Sequence, residues 1–135
     1  MKSAHLSMPE FVAIAQQVIA ELDEPFKAWL ENVVVDVELA PTRKMLVEAG
    51  LDPSQETLLG LFVGNAVTEQ AYGEHAPNQI LLFKRPLEEA CRSRAELAYE
   101  IRRTLIHELA HHFGYSEEDL EEYESRESPF DRHGE

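Results

Sequence analysis

The chain has 135 residues, 44% of them hydrophobic, which suits one domain with a single core. Its one cysteine, Cys91, excludes an internal disulfide and reads as a small buried hydrophobe. The net charge of −14 argues against a nucleic-acid binder, which needs a basic face to neutralise phosphates.

No apolar run of about 18 residues occurs, so no membrane span is expected. The N-terminus, Met1-Lys2-Ser3-Ala4-His5, leads into a segment broken by Glu10, Gln16 and Gln17. A secretory signal has an unbroken apolar centre instead. A cytoplasmic, monomeric protein is the expectation.

In chain order, Ser7-Met8-Pro9-Glu10 reads as a capping box with proline in the first helical turn. Phe11, Ile14, Ala15, Val18, Ile19 and Leu22 follow at helical spacing. Pro25 interrupts the pattern, and a short helix with Phe26, Trp29 and Leu30 follows. These are core positions. Residues 32–39 (NVVVDVEL) form a Val-rich strand. Residues 41–50 suggest a short helix closed by Gly50, and residues 57–63 (TLLGLFV) a second strand. Residues 64–78 carry turn formers and read as a long loop, the kind that often borders a site. Residues 79–84 (QILLFK) are expected as a third strand ended by Pro86. Proline just past the strand suggests an edge, where an extended peptide could pair.

Helical period returns over residues 94–113. Leu97, Ile101, Leu105 and Leu109 make one apolar stripe, which Phe113 extends, and Gly114 stands where a C-terminal cap belongs. Ser116 is placed to cap a last helix, with Glu117, Glu118 and Asp119 in its first turn. Residues 117–135 hold nine acidic residues against Arg126 and Arg132, a net of −7 and half of the total charge. Such an end is ordinarily a solvated tail. Residues 1–125 are read as the folded domain and 126–135 as a flexible acidic tail.

The chemistry lies in His107-Glu108-Leu109-Ala110-His111. Histidines four apart share one helical face, with Cβ atoms roughly 5–6 Å apart, so both imidazoles can reach one ion. Zinc accepts nitrogen and oxygen donors in a tetrahedral site. Glu108, next to the first histidine, points beside that ion and can act as a base toward an activated water. Glu100, Thr104, His107 and His111 continue as a polar seam beside the apolar stripe. A helix otherwise built for burial has reason to carry such a seam when it borders a cleft.

The stretch His107-Glu108-Leu109-Ala110-His111-His112-Phe113-Gly114-Tyr115-Ser116-Glu117-Glu118-Asp119-Leu120 resembles the signature of the small bacterial zincin-like metallopeptidases. Residues 79–87 and the N-terminal helix followed by a Val-rich strand are similar to that family too. The resemblance implies an α+β, minimal zincin-like domain. Its small mixed sheet, of about three or four strands, would pack on the N-terminal helix and the histidine helix. It also implies a zinc-dependent peptidase acting on peptides or proteins, with Glu108 as catalytic base. In the longer pattern HExxHxxGxx(D/E/H), Glu117 stands at the third-ligand position, with Glu118 and Asp119 as alternatives. Metzincins, by contrast, carry histidine there and a downstream methionine, and no methionine follows Met45.

The remaining candidates have plainer roles. His112 is expected to pack at the helix C-terminus. His75 on the long loop, Tyr115 and Tyr123 are weaker candidates for steadying an oxyanion, and His5 and His133 are expected to be spectators. The competing readings are a catalytically inert zinc protein of the same fold and an acidic protein-interaction module.

Overall fold

The computed structural model describes residues 5–64, 78–114 and 118–119. Of the loop expected over residues 64–78, residues 65–77 with His75 lie outside them. So do Tyr115, Ser116, Glu117, Tyr123, His133 and residues 126–135, expected as a tail.

The first helix, α1 (Met8–Ala20), starts on the expected capping box. The Ser7 hydroxyl accepts from the Glu10 amide while the Glu10 carboxylate accepts from the Ser7 amide, satisfying two amides that the helix leaves open. Its inner face places Phe11, Ala15 and Val18 in the core. After a cis Glu24–Pro25 peptide come α2 (Phe26–Trp29) and a 3-10 turn, Leu30–Asn32, that leads into β1 (Val33–Glu38). In β1, Val33, Val35 and Val37 turn inward while Val34, Asp36 and Glu38 are exposed, the two-residue alternation of a half-buried strand. Helix α3 (Arg43–Glu48) is capped by Thr42, and Gly50 follows it with φ +81°.

Strand β2 (Gly60–Val63) and strand β3 (Asn78–Phe83) complete a three-stranded mixed sheet in the order β1-β3-β2. β3 runs parallel to β1, with Val35 opposite Ile80, and antiparallel to β2, with Phe62 opposite Ile80. β3 is therefore the central strand, which corrects the expectation of an edge there. Ile80 through Phe83 are all buried. Four consecutive buried apolar residues mark a strand covered on both faces. Pro86 is not a strand residue; it sits in the first turn of α4 (Lys84–Glu89), where its missing N–H costs no hydrogen bond.

Next comes α5 (Arg94–His112), whose amides are capped by the Ser93 hydroxyl at Glu96. Leu97, Ile101, Leu105 and Leu109 are fully buried and join Ile80 and Leu82 of β3 and the inner face of α1 in one core. Each such side chain contributes about 1.5–3 kcal/mol relative to exposure. This is the expected mixed sheet packed on the N-terminal and histidine helices. Phe113 departs from the expected stripe: it is 46% exposed and lies flat on Trp29, ring centroids 4.5 Å apart.

In α4 the Lys84 ammonium lies 3.0 Å from the Glu88 carboxylate, and both residues are buried. The same carboxylate accepts from the Leu6 amide at 3.0 Å, holding the start of the chain against α4. No helix among the described residues is long and apolar enough to cross a membrane.

Candidate active site

The site begins with a contact that needs the absence of a side chain. A Cβ on Gly60 would lie 2.6 Å from the Thr104 Cγ2 and 3.1 Å from the Leu81 carbonyl oxygen. No side chain fits there, so glycine lets β2 lie directly on α5 at Thr104. From that crossing, strand and helix advance together. Two strand residues cover about 6.7 Å and one helical turn about 5.4 Å, so Phe62 arrives opposite Glu108. Its backbone amide donates to Glu108 Oε1 at 3.1 Å. Among the described residues β2 pairs with β3 alone, and this amide is bonded to the helix instead.

One turn of α5 carries both histidines. The rings of His107 and His111 have centroids 4.6 Å apart and an interplanar angle of 33°. His107 and Glu108 are half-buried, and His111 is exposed. The structure thus brings together His107, Glu108 and His111 with the edge amide of Phe62. Glu117 lies outside the described residues. Glu118 and Asp119 are helical and exposed. Among the described residues no group of three or more His, Cys, Asp and Glu side chains is disposed to hold a metal ion.

The C-terminal end of α5 is fixed by aromatic contacts. The His112 ring stacks on Phe62 at 4.1 Å and 16° and meets Phe113 edge-on at 5.2 Å. Phe113 continues onto Trp29, and Trp29 onto Phe26 at 5.4 Å. His112 therefore packs as expected, and it also clamps the same Phe62 whose amide holds Glu108. Gly114 follows with φ +93°, a left-handed conformation that frees the chain to leave the helix, and its amide reaches the His111 carbonyl at 3.2 Å.

A cavity of about 260 Å³ opens beside these groups. Its walls are residues 57–60 on one side and Glu100, Arg103, Thr104, His107 and Glu108 of α5 on the other. Glu100, Thr104 and His107 of the polar seam read from the sequence line this cavity, whereas His111 does not. Arg103, Thr57 and the Phe62 amide were not anticipated. Gly60, inside an apolar strand pattern, was the one signal that another element comes close.

The sequence profile of the zincin-like metallopeptidase family matches residues 30–127. That span holds β1, both other strands and the whole histidine helix, and the chain belongs to this family. Among solved structures, a conserved hypothetical protein from Thermus thermophilus is similar at a TM-score of 0.50 and 24% identity. The likeness covers 89% of this chain and 99% of that one, and it supports the fold. No curated protein matches the chain.

Proposed function

We propose that the protein is a zinc-dependent peptidase in which Glu108 is the catalytic base. The observation that carries this reading is the Phe62–Glu108 hydrogen bond beside the paired imidazoles of His107 and His111. Two imidazoles one turn apart are donors that zinc accepts, so the residues fit the metal that the family implies. His107 and His111 would hold it, with Glu117 as third ligand and Glu118 or Asp119 as alternatives. When bound, the metal supplies a Lewis acid that polarises a peptide carbonyl and acidifies water.

The protein's own part is positional. The Phe62 amide fixes the Glu108 carboxylate through Oε1, and this carboxylate takes the proton of an attacking water. Glu108 then returns that proton to the departing amine. His112, stacked on Phe62, keeps the amide and the carboxylate in register. Among the described residues the edge of β2, rather than of β3, lies beside this carboxylate, and an extended peptide would lie there.

The deciding experiment measures zinc by elemental analysis and hydrolysis of a peptide library for the wild type, His111→Ala and Glu108→Gln. About one zinc per chain with turnover, no zinc in His111→Ala, and zinc without turnover in Glu108→Gln is the expected set. Zinc in the wild type with no peptide cleaved would make the protein a catalytically inert zinc binder.

A further inference from the structure

We infer that the cavity beside Glu108 is a subsite for a basic side chain of the substrate, received by the Glu100 carboxylate. The inference rests on the peptidase reading and adds to it a substrate class. His107 and Glu108 form one end of the cavity and Glu100 lies farther along the same helical wall. A side chain next to the scissile bond would therefore run from the base toward Glu100. The volume, about 260 Å³, equals that of roughly nine waters, room for one long side chain.

The lining favours a cation with an aliphatic stem. Leu58 and Leu59 form an apolar wall, and Thr57 and Thr104 add hydroxyl-bearing side chains. Lysine and arginine bury their methylenes along such walls while their heads seek an acceptor. The Glu100 side chain is only 16% exposed, whereas Arg103, 3.4 Å from it, is 46% exposed. With one partner largely in solvent and a long contact of 3.4 Å, this pair can exchange. An entering guanidinium or ammonium can take the carboxylate while Arg103 turns to solvent. The net charge of −14 attracts cationic peptides and repels acidic ones.

The test is titration of the full chain with N-acetyl-arginine amide, N-acetyl-leucine amide and N-acetyl-glutamate amide, read from the amide chemical shifts of Gly60 and Thr104. Wild type, Glu100→Gln and Arg103→Gln are compared after their spectra show a folded chain. The arginine amide should bind the wild type about ten- to a hundredfold more tightly than the other two. Glu100→Gln should lose that preference, and Arg103→Gln should strengthen it by removing a competing cation, a gain that a merely structural role for either residue would not produce. Equal binding of the three amides, or a preference unchanged in Glu100→Gln, overturns the proposal. Preference for the glutamate amide that disappears in Arg103→Gln overturns it in favour of an anion subsite. Peptide hydrolysis is scored separately. Arginine-selective binding without cleavage of any peptide sinks the peptidase reading and leaves the subsite standing. Cleavage with no basic preference does the reverse.

Discussion

The Phe62 backbone amide and the Glu108 carboxylate are joined by a 3.1 Å hydrogen bond between strand β2 and helix α5. The contact spans 46 residues of sequence, so the position of the Glu108 carboxylate depends on the packing of β2 against α5. In the proposed mechanism the same side chain has two roles, acceptor toward the strand and base toward water.

Glu108→Gln and Glu108→Ala should therefore differ. The glutamine carbonyl still accepts from Phe62, so the fold and the metal affinity should persist. Activity should fall about 10²–10⁴-fold, the usual contribution of general base catalysis. Alanine leaves the part-buried Phe62 amide without this acceptor, at a further cost of about 1–3 kcal/mol in stability. Urea unfolding beside peptide hydrolysis separates the two. Equal stability of the two variants would show that the hydrogen bond does not hold the strand.

Gly60→Ala tests the crossing itself. The new methyl meets the Thr104 Cγ2 at 2.6 Å and the Leu81 carbonyl at 3.1 Å, and overpacking of this kind costs about 1–3 kcal/mol. Thr104→Ala removes the nearer obstacle but not the carbonyl. The double variant should recover part of the loss, so the two substitutions should be non-additive. Denaturant midpoints for the four proteins check this, and strict additivity would mean that strand and helix do not touch at this point.

How much of this was legible in the sequence follows from the range of each interaction. The Ser7 cap, the apolar stripe from Leu97 to Leu109, and the one-turn spacing of His107 and His111 are local, and periodicity exposes them. Strand order is not local. Residues 79–84 have the composition of a strand, but only the pairing with both β1 and β2 shows β3 to be central. Pro86 was misleading because proline after a strand suits an edge and the first turn of a helix equally well. The Phe62 amide was invisible, since every residue but proline carries one. Glu117 stands in the family pattern, but its placement lies outside the described residues.

Cys91 should be chemically silent in the native state. It is 1% exposed, and burial, with Glu100 and Glu96 adding repulsion, pushes its thiol up to about 12. The thiolate is the reactive form, so thiol reagents at pH 8 should modify the unfolded chain and spare the folded one. The sign of the pH effect follows. Above the ordinary thiol value near 8.5 the unfolded chain releases this proton while the native chain keeps it, so stability falls as pH rises toward 12. Cys91→Ala should remove that slope, which denaturation at pH 8 and pH 10 measures. Rapid native labelling would contradict the burial.

The Lys84–Glu88 pair makes a prediction about the chain's start. Glu88 is 1% exposed and Lys84 8%, and the carboxylate serves both the Lys84 ammonium and the Leu6 amide at 3.0 Å. Removing one partner of a buried pair leaves an uncompensated charge, at about 3–5 kcal/mol. Glu88→Ala should lose that much and also release residues near Leu6, read as faster amide exchange there. Replacing both partners by apolar residues of similar size, Lys84→Met with Glu88→Leu, removes the stranded charge. The double variant should regain most of the stability, but not the protection of the Leu6 amide, because that acceptor is gone. Recovery of both together would show that packing, and not the carboxylate, holds the N-terminal segment in place.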